Sequence, residues 1–269
     1  MDPVAFHLGP LSIRWYGILF ALGFAAGYAL LQARAKRSRI GGDRAADLVF
    51  VAAFAGLAGA RLWYVIQFWP AFRGNLAEIV RIDHGGLVFY GGFLAAGLAL
   101  LGFCHWKKLP KGEVADLLAP TLALAHAFGR VGCFLNGCCH GHRSDSFLAF
   151  SYGRASDVFR AQAEAGLIPP NAAAALPVLP VQLFEAAFNL LLAGTLLWAE
   201  RRLPRRGQLF ALYLAAYAAG RFFIEFGRGD HADFIGPFTP AQALALPLFP
   251  AALGLFLLLQ RHGERRPAE

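Results

Sequence analysis

The sequence predicts an all-α polytopic membrane protein of seven transmembrane helices, on three observations. Hydrophobic residues make up 57% of the chain and charged residues only 16%, where a soluble domain carries about a quarter charged. The apolar residues come in blocks about 20 residues long, the length that spans a hydrocarbon core. The basic residues, finally, cluster in alternate connections between those blocks.

Seven spans follow in order, at 15–33, 46–69, 87–105, 113–132, 181–199, 207–226 and 240–260. Arg34, Lys36, Arg37, Arg39 and Arg44 follow the first span, and Lys107, Lys108 and Lys111 the third. Arg201, Arg202, Arg205 and Arg206 follow the fifth, and Arg261, Arg265 and Arg266 the last. Positive charge on alternate loops sets orientation, with the cationic side in the cytoplasm. The N-terminus is therefore expected outside and the C-terminus in the cytoplasm. The net charge of +8 is explained by this distribution, so no nucleic-acid partner is expected. Trp15, Trp69, Trp106 and Trp198 stand at span ends, where amphipathic rings favour the interface. The first ten residues hold no Lys or Arg, unlike a secretory leader, and the first span is expected to be retained.

The chain reads as one integral-membrane domain, 1–269, with residues 133–180 inserted as a small external head. A connection of that length inside a compact protein is usually functional, and a short helix is expected near 157–165.

Ionisable groups at membrane depth are costly, so they pair, face a cavity or do chemistry. Arg14, Tyr16, Arg61, Tyr90, His126, Arg130, Gln182, Glu185, Asn189, Arg221, Glu225 and Arg228 all fall toward the outer ends of their spans. Asp47, Glu113 and Asp116 fall at the other ends, where solvent or headgroups suffice to explain them. His126 with Arg130, Glu185 with Asn189 and Arg221 with Glu225 are four apart and share helix faces. Taken alone, Arg221 and Glu225 would simply neutralise each other. Taken together, Arg61, Arg130, Arg221 and Arg228 outnumber Glu185 and Glu225, and a cation surplus invites an anion such as a lipid phosphate. Arginine suits that ligand because its planar fork binds phosphate oxygens in pairs.

The centre of this pattern is Gly129-Arg130-Val131-Gly132-Cys133-Phe134-Leu135-Asn136-Gly137, where Asn136 and Gly137 supply helix-ending turn chemistry. The run His84 to Gly92, with Gly-Gly at 85–86 and 91–92, predicts non-helical or closely packed backbone, which is tolerated at membrane depth only where protein or a cavity surrounds it. Gly59, Gly91 and Gly92 are expected to leave room for a lipid headgroup. Cys133, Cys138 and Cys139 lie on the outer side, where a disulfide is permitted. Their spacing lacks the CxxC pairs of zinc sites, and adjacent cysteines do not readily share one ion, so no metal and no cofactor is expected.

Five stretches in this order resemble one family: Trp15-Tyr16-Gly17, the run 84–92, the run 129–137, Pro180-Val181-Gln182-Leu183-Phe184-Glu185, and Arg221-Phe222-Phe223-Ile224-Glu225-Phe226-Gly227-Arg228. They are similar to the prolipoprotein diacylglyceryl transferases over nearly the whole chain. The resemblance implies a bacterial inner membrane, makes the head at 133–180 periplasmic, and implies transfer of the diacylglyceryl group of phosphatidylglycerol to the lipobox cysteine thiol of a preprolipoprotein. It implies catalytic roles for Arg130, Tyr90, Arg221 and Tyr16. Substrate contacts are implied at Arg130, Asn136, Gly141, Arg61, Arg228, Glu225, Gln182, Glu185, Gly91, Gly92 and His84. The chain departs from the family at Tyr90, Cys133, Cys138 and Leu179, where members commonly carry His, Asn, an acidic residue and His, and at Phe184, which replaces Tyr. A transporter or flippase for an anionic lipid would use the same arginines, but the polar groups do not continue across the membrane.

Overall fold

The computed structural model describes residues 3–9, 11–81, 85–230, 236 and 238–264. Helices dominate: α1 (Trp15–Ala35), α2 (Gly42–Gln67), the short α3 (Trp69–Phe72), α4 (Phe89–Trp106), α5 (Lys111–Asn136), α6 (Asp157–Glu164), α7 (Val181–Glu200), α8 (Gln208–Glu225) and α9 (Pro240–His262). Each of the seven expected spans is helical, and α6 is the short helix expected before Ala165. Six of the helices, α1, α2, α4, α5, α7 and α9, are long and apolar enough to cross a membrane. The 18-residue α8 is not among them; it carries Gln208, Arg221 and Glu225 in that short length.

The chain is mostly helical, as an all-α polytopic membrane protein should be, with one short sheet at its start. β1 (Val4–Leu8) and β2 (Leu11–Arg14) form an antiparallel hairpin, with Phe6 opposite Ile13 and Leu8 opposite Leu11. Val4, Phe6 and Leu8 alternate with period two ahead of Gly9-Pro10, which is a hairpin signal. Gly9 takes φ +59°, the left-handed backbone that such a turn needs.

The chain divides into two compact units, one of residues 30–114 and one of 1–29 with 115–269. In the first, α2 and α4 pack through their glycines. A Cβ on Gly91 would lie 2.6 Å from the Gly59 carbonyl oxygen and 2.3 Å from Trp63 Cβ, and one on Gly92 2.9 Å from the Gly56 oxygen. The space expected for a headgroup beside Gly59, Gly91 and Gly92 is therefore filled by helix–helix contact, the arrangement that small residues permit.

Arg61 is also spoken for within this unit. Its buried guanidinium donates to the carbonyls of Glu78 at 2.5 Å, Ile79 at 2.8 Å, Gly85 at 2.8 Å and Gly86 at 3.1 Å. The rings of Tyr64 and Phe72 lie 5.6 and 5.4 Å from its centre. Gly85 and Gly86 take φ +79° and +76°, a conformation that turns both carbonyls onto one arginine. The segment ahead of α4 is thus non-helical, as expected, and its polar backbone is satisfied by protein. Arg61 leaves the count of cations available to an anion.

In the second unit, α5, α7 and α8 share a core of Ala119, Ala123, Leu192, Leu196, Leu209 and Tyr213. Asp116, expected to face solvent or headgroups, is buried instead. It accepts from the backbone N–H groups of Gly207 at 2.7 Å and Phe210 at 2.9 Å, a carboxylate set on a helix N-terminus. α9 begins with a capping box, in which Thr239 and Gln242 serve each other's backbone, ahead of Pro240 at the first helical position. Between α5 and α7, residues 137–180 build a small core of their own from Tyr152, Val158, Phe159, Ile168, Ala175 and Val178 against Phe134.

Removing the Arg61 fork strands several buried carbonyls at once. Arg61→Met is expected to lower the unfolding free energy by about 3 kcal/mol, read as an earlier denaturation midpoint of the purified protein. A midpoint equal to the parent's would mean that water replaces the arginine on those carbonyls.

Candidate active site

The last turns of α5 and α8 and the first turns of α7 and α9 bring their polar side chains to one place. α5 presents His126 and Arg130 one turn apart, and Arg130 Nε donates to the His126 Nε2 lone pair at 3.1 Å. α7 presents Glu185, which is buried. Its Oε1 lies 3.1 Å from Arg130 Nε and 3.5 Å from His126 Nε2, and its Oε2 lies 3.3 Å from Arg221 Nη1. Arg221 reaches back along α8 to Glu225, Nη2 to Oε2 at 2.7 Å. The Thr239 hydroxyl donates to Glu225 Oε1 at 2.8 Å. One relay thus runs Arg130–Glu185–Arg221–Glu225–Thr239 across four helices. A charge pair buried in this way is costly to break from either side.

The relay leaves Arg130 with both terminal nitrogens to spare. Arg130 is held through Nε alone, and among the described residues its Nη1 and Nη2 have no hydrogen-bond partner. Those two nitrogens form the fork that receives a planar pair of oxygens.

The loop after α5 supplies a second set of groups. Gly137 at φ +70° ends the helix where Asn136-Gly137 predicted. Cys139, at φ +59°, holds the same left-handed backbone without being a glycine, which costs about 1–3 kcal/mol. The Cys133, Cys138 and Cys139 sulfurs lie within 4.8 Å of one another, and the Asn136 amide lies against Cys138. Gln182 Nε2 donates to the Cys138 carbonyl at 2.8 Å, so α7 pins this loop. Gly141 bridges to Arg228 and donates its N–H to the Leu179 carbonyl at 3.0 Å. A Cβ there would meet that oxygen at 2.7 Å, so Gly141 serves a close crossing of backbones.

Arg228 is buried and bidentate to Asp230, at 2.9 and 2.8 Å. Burial works against its charge, but the Asp230 hydrogen bonds prevail and raise its pKa further. Asp230, absent from the sequence argument, changes its arithmetic. Among the described residues, Arg130, Arg221 and Arg228 face Glu185, Glu225 and Asp230, three against three. The expected cation surplus is therefore a balanced network, and what remains for an anion is the unused fork of Arg130. Asp230 sits two residues after Arg228, close enough for a local pair. Thr239, which caps α9, was not singled out from the sequence either as a cap or as a partner of Glu225.

Tyr16 comes to the same place from α1. A Cβ on Gly132 would touch its ring edge at 3.3 Å, and Tyr16 stays partly exposed. Tyr217 adds a ring 5.5 Å from that of His126, a neighbour the sequence argument missed. Of the other expected site residues, Arg61, Tyr90, Gly91 and Gly92 belong to the unit of residues 30–114. There Tyr90 is half exposed, its ring edge-on to Phe89 at 5.9 Å. His84 lies outside the described residues.

Comparison with known proteins gives a concordant result. A family model described as prolipoprotein diacylglyceryl transferase matches residues 3–258. Relatives named phosphatidylglycerol–prolipoprotein diacylglyceryl transferase from Staphylococcus aureus strains Newman and JH9 are each 33% identical over 264 residues, covering 96% of this chain and 88% of theirs.

The relay makes Glu185 the group whose loss is felt furthest. Glu185→Ala is expected to cost about 3–5 kcal/mol of stability, because Arg130 is left buried without a carboxylate and faces Arg221, which keeps Glu225 alone. Equilibrium unfolding of the variant in detergent measures it. A loss below about 1 kcal/mol, the size of an exposed pair, would show that Glu225 alone holds Arg221 and that Arg130 needs no carboxylate.

Proposed function

The chain belongs to the prolipoprotein diacylglyceryl transferase family, and we propose that it moves the diacylglyceryl group of phosphatidylglycerol onto the lipobox cysteine thiol of preprolipoproteins, forming a thioether and releasing glycerol phosphate. The observation that carries this reading is the Arg130 guanidinium, fixed through Nε by His126 and Glu185 with both Nη groups unused. On this reading the lipid phosphate docks on that fork. The C–O bond to the phosphate breaks as the thiol sulfur attacks the glyceryl carbon, and negative charge grows on the departing phosphate. Donors fixed in advance where charge develops are usually the largest electrostatic contribution to rate. Glu185 keeps Arg130 and Arg221 from recoiling apart before the lipid arrives, and Arg228 is held by Asp230 beside them. Asn136, Gly141 and Gln182 shape the loop over the site. The resemblance assigns catalytic roles to Tyr16 and Tyr90 and a substrate contact to His84.

For the fold, the proposal is that α8 is the seventh span and that the N-terminus lies on the periplasmic side of the inner membrane. The alternation of basic loops supports both. Residues 137–180 then form a periplasmic head under which the preprolipoprotein thiol arrives, while phosphatidylglycerol enters from the outer leaflet. At the opposite end of these helices the buried Asp116 is occupied in capping α8, which disfavours a transport path continuing through the protein.

The test is release of glycerol phosphate from phosphatidylglycerol by purified protein with a lipobox peptide. Arg130→Lys is expected to lose about 10²–10³-fold in turnover, because an ammonium carries the charge but not the paired donors. A lysine variant within a few-fold of the parent would remove the bidentate role. Tyr90→Phe is expected to slow transfer without abolishing it, since a phenol with a pKa near 10 is a poor base at neutral pH; an unaltered rate would take Tyr90 out of the reaction.

A further inference from the structure

The thiols of Cys133, Cys138 and Cys139 are left over by the relay, and their geometry is that of a ligand set. Three sulfurs converge within 4.8 Å, where three thiolates around one zinc ion at about 2.3 Å would stand about 3.8 Å apart. A closing movement of at most about an ångström separates the two arrangements. Adjacent cysteines ordinarily point apart, and the left-handed backbone of Cys139 (φ +59°) is what brings its sulfur round to those of Cys133 and Cys138. Among the described residues no His, Asp or Glu joins the three at comparable distance. A set of three protein ligands with a fourth position open is the pattern of a catalytic rather than a structural zinc site.

We propose that Cys133, Cys138 and Cys139 bind one Zn²⁺ and that its open fourth position takes the sulfur of the incoming substrate cysteine as thiolate. The inference rests on the transferase reading and supplies what that reading lacks, a group that activates the thiol. This chain has Tyr90 in place of a commonly found histidine, and two of the three thiols, Cys133 and Cys138, also stand where the family carries other residues. Zinc replaces a base here because binding to the metal expels the thiol proton. The proton passes to water. The zinc-held sulfur then attacks the glyceryl carbon, a C–S bond forms, and the C–O bond breaks with its electron pair leaving on the phosphate. No electron is gained or lost by the metal. The charges suit it as well: three thiolates and a dication carry net −1, and Arg130 and Arg228 both act electrostatically on Cys139. The same Arg130 presents its free fork to the phosphate, so nucleophile and leaving group would meet at one arginine.

The test uses the full chain, purified under reducing conditions and loaded with Zn²⁺ or, as a spectroscopic probe, Co²⁺. One metal per chain is expected by elemental analysis, and it is lost when Cys133 and Cys138 are both changed to Ser. The cobalt protein should show thiolate charge-transfer absorption that shifts when lipobox peptide is added and does not shift with a peptide whose cysteine is serine. That readout is taken on the parent protein, so it stands even if the Ser variants fail to fold. Chelation should slow glycerol phosphate release by about 100-fold, the scale of a lost thiol-activating group, with recovery on returning zinc. A disulfide among the three cysteines in active protein would overturn the proposal, as would a cobalt spectrum indifferent to the peptide. Metal-free protein releasing glycerol phosphate at the parental rate would overturn the zinc site and leave the transferase reading standing. Loaded protein that shifts its spectrum with peptide yet never releases glycerol phosphate would sink the transferase reading, and the role of the metal in that reaction with it.

Discussion

One buried carboxylate, Glu185, holds two arginines from two other helices, Arg130 at 3.1 Å and Arg221 at 3.3 Å. Two guanidinium groups in a low-dielectric interior repel strongly unless an anion stands between them. Without it α5 and α8 could not both bring a cation to α7. The carboxylate spends one oxygen on each partner, and each arginine is gripped by part of its donor set only. For Arg130 that part is Nε, which leaves its terminal fork pointing at whatever enters. A structural ion pair and a ligand-binding group are thus the same side chain, divided between its nitrogens.

The rest of the second unit can be read as support for that arrangement. Asp116 fixes the start of α8 by accepting from Gly207 and Phe210, which sets the height at which Arg221 arrives some three turns later. Thr239 starts α9 and at the same time occupies Glu225. Gln182 ties the loop after α5 to α7, so the thiols and Arg130 are placed by one helix pair. Gly141 and Gly229 allow backbones to cross where any side chain would collide.

The unit of residues 30–114 uses the same residue types for a different end. Arg61 is buried like Arg228, yet its partners are four carbonyls rather than a carboxylate. Backbone carbonyls carry only partial charge, so this arginine organises a loop, and among the described residues it is bound by carbonyls rather than by a carboxylate. Gly85 and Gly86 matter there for their positive φ, whereas Gly91 and Gly92 matter for the closeness of α2. Two glycine pairs a few residues apart in one run therefore answer to different physics.

Composition, block length and charge alternation determine by themselves that this chain is helical and polytopic, because bilayer thickness and backbone satisfaction leave few alternatives. The end of α5 was legible in Asn136-Gly137, where a local signal exists, and so were the i, i+4 neighbours His126–Arg130 and Arg221–Glu225. The N-terminal hairpin was missed, because the alternation of residues 4–8 before Gly9 is a short signal beside the long apolar blocks. What lay beyond the sequence was the partner of each charge. Spacing along one helix fixes which side chains share a face, not which face meets which helix. Arg61 and Arg130 look alike in the chain, and only folding sends one to carbonyls and the other to Glu185. Asp230 was invisible as a counter-ion for the same reason that the three cysteines looked unsuited to a common ligand. Both depend on a few backbone torsions in loops, where φ at Cys139 or the turn after Arg228 decides direction, and those torsions are set by the tertiary contacts that close around them.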